Sequence, residues 1–440
     1  MTTLIRADRL IDGTGAAPVN DAVLVVEQDK LVGIFQGEPP EGLVTADTDI
    51  LDYPGCTIMP GMIDTHVHLN LPGDGTSLEE AVREAEGVLV ATSAFSAAKA
   101  LGAGITTVRD VGAFGSTVLN LRRALELGHG IGPRILSCGQ PITITGGHTW
   151  YFQGEADGED ELRRKVRHMV KLGADFIKIM ASGGGTVNTI SWMPSYRREE
   201  LSAITDEAHR LGRKVTAHCL CAESTEYAID AGVDQIEHAG FIVDAKGDQE
   251  FVPEVAEKLA RSGIPVTSTL AVGGSVVNTM LAKGNRTAAE EALLTRWLKM
   301  LDDNLVQFRK LREAGVEFVA GTDAGWRFTP FDGLPLELTL MHRGGLPKMD
   351  AIVAGTGNAA RVIGINDKVG TLAKGLAADV IVVRGNPLDD LDTLRDVQLV
   401  MQGGKVRKGY EKTGTREKGS AGIEQTRRSW PSRRSAVRAS

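Results

Sequence analysis

His66 and His68 stand one residue apart in the apolar stretch TIMPGMIDTHVHL, residues 57–69. On a β-strand, side chains at i and i+2 share a face, so both imidazoles can reach one metal ion. A His-x-His pair alone is a weak signal, because such pairs also occur on exposed strands. Later strand-like runs supply further donors: Lys178 in DFIKIMAS, His218 in KVTAHCL, His238 in DQIEHAGF and Asp323 in EFVAGTDAG. Each has a bland reading, a satisfied core histidine or a solvated edge charge. Lys178, however, is flanked by Phe176, Ile177, Ile179 and Met180, where a plain ammonium is costly to bury. Imidazole and carboxylate donors suit Zn, Mn, Co or Fe and leave room for water.

These residues need a frame that brings strand ends together. Short apolar runs at 57–69, 106–112, 134–139, 175–182, 214–220, 234–241, 264–270 and 317–325 alternate with amphipathic helical segments. The clearest helices are 78–104 and 198–214, each ending near a glycine. Eight such runs are the count of an α/β protein built as a (β/α)8 TIM barrel, expected over 57–365. In that fold the C-terminal strand ends and the loops after them build the site. Residues 1–56 and 366–410 read as short alternating strands, expected to meet as a small β-sandwich domain formed by both chain ends. Residues 411–440 are basic and almost devoid of apolar side chains, and are expected to be disordered.

Composition narrows the function. The 440 residues are 42% hydrophobic and 24% charged, ordinary for a globular protein, and 52 glycines suit many tight turns. A net charge of −8 argues against nucleic acid as a partner. No apolar stretch is long enough to span a bilayer, and the start MTTLIRADRLIDGTG lacks the pattern of a secretory leader. Cys56, Cys138, Cys219 and Cys221 are too few and scattered for a disulfide framework, so a reducing cytoplasm is expected.

The run Pro60, Gly61, Ile63, Asp64, His66, His68 and the run GTDAG at 321–325 resemble the amidohydrolase superfamily of metal-dependent (β/α)8 hydrolases. The resemblance covers about residues 1–410, with the ligand positions in the right strand order. It implies a binuclear centre in which Lys178 is carboxylated by CO2 and bridges two divalent metals, zinc first among them. The more buried ion would take His66, His68, Lys178 and Asp323, the second Lys178, His218 and His238. A metal-bridging hydroxide would attack an amide-type C–N bond, with Asp323 as proton carrier. The stretches GGHTW, KIMASGGG and GVDQIEHAGF look like the imidazolonepropionase and prolidase-like branch. That branch includes enzymes acting on dipeptides, N-acyl amino acids, aryl amides, ureas and carbamates, ochratoxin and phenylureas among them. Dipeptidase relatives often carry AHAHG after strand five, where this chain has His218–Cys219–Leu220–Cys221. Relatives of the superfamily are commonly oligomeric, so a homo-oligomer acting on a small molecule is expected.

Other residues complete the expectation. His148, in the loop after strand three, matches a relative's contact to the substrate carbonyl. Arg109 could bind a substrate carboxylate or pair with Asp110 or a neighbouring strand. Trp150, Tyr151, Trp192, Tyr196 and Trp326 sit in loops after strands three, four and eight and suggest an apolar pocket. Gly183–Gly184–Gly185 reads as a lid hinge, and Cys219 and Cys221 as buried side chains facing away from the ligands. Two other functions share the frame. A mononuclear deaminase-like enzyme would use a Glu, here Glu237, but would lack Lys178. A non-catalytic scaffold would have lost ligands that are all present.

Overall fold

The computed structural model describes residues 2–409 except position 46; the basic tail at 411–440 lies outside the described residues. Short aliphatic runs form eight parallel strands: Met62–Val67, Ile105–Asp110, Arg134–Ser137, Phe176–Met180, Lys214–Cys219, Gln235–His238, Val266–Thr267 and Phe318–Val319. Helices fill every connection between them. Strands covered on both faces read as continuous apolar runs, and Met62–Val67 and Phe176–Met180 are buried throughout. The first three strands pair in one sheet and the last five in another.

The two sheets touch along both edges. At one seam the Thr65 N–H donates to Ala320 O at 3.1 Å and the His68 N–H to Ala324 O at 2.8 Å. At the other, the Ile142 N–H donates to Lys178 O and the Met180 N–H to Ile142 O, both at 2.8 Å. Val67–Ala324 and Ile142–Ile179 are accordingly parallel bridges.

The chain ends pair in one seven-stranded sheet, in the order Lys405–Lys408, Val397–Gln402, Val380–Arg384, Asp49–Pro60, Thr2–Leu10, Val19–Glu27, Lys30–Gln36. Alternation gives it two apolar faces, with Ile5, Leu24, Ile58 and Val380 in one cluster and Leu4, Val23 and Val25 in another. Sheet membership changes at Gly61 rather than at 57, because Thr57–Pro60 still pair with Val380–Val383. A Cβ on Gly61 would lie 2.1 Å from Thr106 Oγ1, so glycine lets the chain cross between sheets here.

The stretch 78–104 is two helices rather than one, Leu78–Ala81 and Glu86–Gly102. Packing overrides propensity at the break: Leu78 and Val82 join Leu71, Tyr151 and Phe152 in a cluster of their own. Among the described residues no helix is long and apolar enough to cross a membrane.

Candidate metal centre

His66 and His68 occupy the end of the first parallel strand, Lys178 the fourth, His218 the fifth and His238 the last position of the sixth. Asp323 follows the eighth. These six side chains line one cavity, together with His148 from the loop after the third strand. Imidazole centroids lie 5.5 Å apart for His66 and His68, 5.1 Å for His66 and His238, and 4.6 Å for His218 and His238. His66, His238 and Asp323 each offer one ligand atom, all within 4.8 Å of one another. His238 and Asp323 reach these positions from left-handed backbone, φ 72° and 60°. Such conformations cost about 1–3 kcal/mol and persist where the surroundings enforce them. One enforcer is Gly325, where a Cβ would lie 2.3 Å from His68 O.

Hydrogen bonds at the far ring nitrogens set the tautomers. His66 Nδ1 meets the Glu237 carboxylate at 2.8 Å, and His68 Nδ1 meets Gly112 O at 2.8 Å. Both partners only accept, so each Nδ1 carries the hydrogen and, in the neutral ring a metal requires, each Nε2 keeps its lone pair. His218 is reversed: its Nε2 donates to Gly183 O at 3.2 Å, leaving Nδ1 free. The His66 and His68 lone pairs point at Asp323 Oδ1, 3.5 and 3.3 Å away. That oxygen is buried and has no hydrogen-bond partner among the described residues. Three lone pairs converging without a donor repel one another, and a divalent cation satisfies all three. The donor set therefore fits bound metal.

The charge states agree for the candidate histidines other than His68. Burial, aided by Lys178, pushes His66 down to about 4 and leaves it neutral, as a ligand must be. Burial likewise pushes His148 and His238 down to about 3 and His218 well below its usual value. His68 goes the other way: burial opposes its protonation, but the Asp323 carboxylate beside it outweighs burial. Burial alone would raise Asp323, yet His66, His68 and His238 together hold it well below the carboxylate range. Lys178 is fully buried, which lowers its basicity, and its ammonium has no hydrogen-bond or ion-pair partner among the described residues.

A buried network underlies the ligands. Arg109 donates from Nε to Thr65 O at 2.7 Å, from Nη1 to Gln235 Oε1 at 2.7 Å and from Nη2 to Glu237 Oε1 at 2.6 Å. Burial would raise Glu237, but Arg109 first and then His66 hold it ionised, well below its usual value. Asp64 accepts from the His66 N–H at 3.1 Å and the Thr322 hydroxyl at 2.6 Å, tying the first strand to the segment that carries Asp323. Thr269 Oγ1 holds His238 Nδ1 at 2.8 Å. In the sequence Glu237 shows only as the neighbour of His238, and its partners come from strands far apart in the chain.

Several sequence-based expectations change, while Arg109 follows its second reading and pairs with neighbouring strands. Arg109 does not line the cavity; all three nitrogens of its guanidinium bond to the strand network. Tyr196 is buried elsewhere, its hydroxyl donating to Ala156 O at 3.1 Å. Trp150 is 44% exposed, and neither it nor Trp192 lines the cavity, whereas Trp326 does. The glycine run packs closely against its neighbours. A Cβ on Gly184 would sit 2.6 Å from the His148 ring, and one on Gly185 2.7 Å from Trp326. Cys219 and Cys221 are buried and absent from the cavity lining. Glu237 is likewise absent from that lining and is held by Arg109, His66 and Thr216.

Comparison with known proteins places this arrangement. Residues 57–410 match the amidohydrolase family. The chain is 30% identical to ochratoxinase from Aspergillus niger over 449 aligned positions, covering 92% of this chain and 87% of that one. It is 23% identical to imidazolonepropionase from Fusobacterium nucleatum subsp. nucleatum, covering 82% and 85%. A Xaa-Pro dipeptidase solved with methionine in its active site superposes with a TM-score of 0.80 at 29% identity, over 93% of this chain and 100% of that one. The chain belongs to the amidohydrolase family, and it is a hydrolase of C–N bonds.

Proposed function

We propose that the chain is a binuclear metal-dependent amidohydrolase cleaving an amide-type C–N bond. The candidate substrates are N-acyl amino acids or dipeptides, and aryl amides, ureas or carbamates. His66, His68, Lys178 and Asp323 would hold the more buried ion, and Lys178, His218 and His238 the second. The observation that carries this reading is the meeting of two imidazole lone pairs with the unpartnered Asp323 Oδ1, in the same cavity as an unpaired lysine. As a free amine, Lys178 Nζ attacks CO2, forms an N–C bond and releases a proton. The resulting carbamate would be an anionic ligand where an ammonium is costly to bury.

Bound zinc, or Mn, Co or Fe in its place, supplies water acidic enough to ionise at neutral pH and a Lewis acid for the scissile carbonyl. Asp323 takes the proton from the attacking water and returns it to the leaving nitrogen. His148 orients the carbonyl. Its Nδ1 lies 2.8 Å from Thr186 Oγ1, which already accepts the Thr149 N–H at 3.0 Å. With the Thr186 hydroxyl donating to Nδ1, Nε2 carries the hydrogen and donates to the carbonyl oxygen.

The backbone bonds at both seams support a closed (β/α)8 barrel over 57–365. Residues 1–56 and 366–409 contribute the small β-domain, a single seven-stranded sheet rather than two packed sheets, and 411–440 carry a basic composition. We place the protein in the cytoplasm as a homo-oligomer. A mass-spectrometric hydrolysis screen of metal-loaded protein against these substrate classes, with Asp323→Asn as control, tests the reading. Turnover lost in the variant supports it; no turnover of any class, or turnover equal in the variant, overturns it.

A further inference from the structure

Thr269 orients a candidate ligand from a strained position. Its Oγ1 lies 2.8 Å from His238 Nδ1. With Nδ1 engaged there, Nε2 is the His238 nitrogen left for a metal. Thr269 follows the seventh strand, Val266–Thr267, with φ 52°. A left-handed backbone is rare for a β-branched residue and persists only where the surroundings enforce it. Ser268, Thr269 and Leu270 all line the cavity.

The group that enforces it lies outside the lining. Glu337 is fully buried on the helix Leu334–Arg343. Its Oε1 accepts from the Ser268 hydroxyl at 2.9 Å, and its Oε2 from the Ala271 N–H at 2.6 Å. The two oxygens thus grip the chain on either side of Thr269. The helix Ala271–Ala282 has no side-chain cap of its own, because its N-cap residue is Leu270, so Glu337 supplies the acceptor from a distant element. Gly274 lets the two helices approach: a Cβ there would lie 2.8 Å from Leu340 Cδ1. Capping alone needs no buried carboxyl, since a Ser, Thr or Asp at position 270 would serve at less desolvation cost. What Glu337 adds is a fixed spacing across Ser268–Ala271, the stretch that holds Thr269.

We propose that Glu337 is a positioning residue for His238, acting through the Ser268–Ala271 turn and the Thr269 hydroxyl. The inference rests on the reading in which His238 holds a metal ion. Glutamine can take over the role: its oxygen accepts the Ala271 N–H, and its amide nitrogen donates to the Ser268 hydroxyl, which is free to rotate. Leucine fills similar space but makes neither contact, so Thr269 can relax from its left-handed conformation and His238 loses a fixed partner.

The test measures zinc affinity, by chelator competition, for wild type, Glu337→Leu, Thr269→Val, the double variant and Glu337→Gln. Glu337→Leu and Thr269→Val should each weaken binding about 10–100-fold. The double variant should bind about as weakly as the weaker single variant, because both changes act on one contact. Glu337→Gln should stay within about twofold of wild type. Nitrogen NMR of the imidazoles in metal-free protein gives a second readout: one His238 tautomer in wild type and Glu337→Gln, and a mixture in Glu337→Leu. If Glu337→Leu does not fold, Ser268→Ala removes one leg of the grip, and its smaller loss should vanish in the Thr269→Val background. Unchanged zinc affinity with an unchanged tautomer in the folded variant, or additive losses in the double variant, overturns the proposal. The tautomer decides the matter even if wild type binds no zinc. A wild type that binds zinc but hydrolyses no amide sinks the proposed reaction and leaves the positioning role standing.

Discussion

Glu237→Gln probes the link between the buried network and the metal ligands. Glu237 is fully buried and accepts from His66 Nδ1 at 2.8 Å and Arg109 Nη2 at 2.6 Å. Each is a charge-assisted bond, worth about 1.5–3 kcal/mol. Glutamine keeps the shape but offers one acceptor oxygen and no charge, so it cannot serve both His66 and the Arg109 and Thr216 donors that share the other oxygen. Arg109 retains Thr65 O and Gln235, so the loss of stability should be about 2–4 kcal/mol, near the lower end for breaking a buried pair. His66 loses the partner that fixes its tautomer, which should weaken metal binding about 10–100-fold. Zinc affinity is measured by competition with a chelator of known affinity, and stability by denaturant unfolding of the metal-free protein. Arg109→Met separates the effects, because it removes the ion pair but leaves the His66 contact. Its stability should fall while its zinc affinity falls less than that of Glu237→Gln. A Glu237→Gln zinc affinity within about twofold of wild type would refute the argument that this carboxylate positions His66.

Three further outcomes follow from the same geometry. Lys178→Ala should lose most bound metal and activity, with partial rescue by short carboxylic acids; full activity without the lysine would rule out its bridging role. His148→Ala should lower kcat by about 10²-fold or more while metal content holds, and Gly184→Ala should do so more mildly, because its Cβ would meet the His148 ring at 2.6 Å. Burial pushes the Glu337 carboxyl up to about 8, against 4.5 for the free side chain, so the folded state holds a proton that the unfolded chain releases. Its contribution is complete below about 4.5 and lost as pH rises through about 8, so Glu337→Gln should flatten the fall in stability across that window, read by urea unfolding at several pH values.

The candidate ligands were legible because their signal is local. A His-x-His on an apolar strand, a lysine inside an apolar run and an aspartate before a glycine break each show in a few residues. The eight strand runs were legible for the same reason, although Val266–Thr267 and Phe318–Val319 are shorter than their apolar stretches. The supporting network was not. Arg109, Gln235 and Glu237 meet only once the second and sixth strands face each other across the structure, and no spacing along the chain encodes that. Loop aromatics misled because composition does not give direction: Tyr196 turns inward to Ala156, Trp150 turns out to solvent, and Trp326 faces the cavity. Trp297, which also lines the cavity, sits in a long helix where its spacing reads as core packing.

The central claim is that two ions share one site through Lys178. Stepwise addition of zinc to metal-free protein, with bound metal counted by mass spectrometry and turnover followed alongside, tests it most directly. The account predicts about two ions per chain and activity that rises with the second equivalent. Full activity at one equivalent, with no second ion bound, would contradict it.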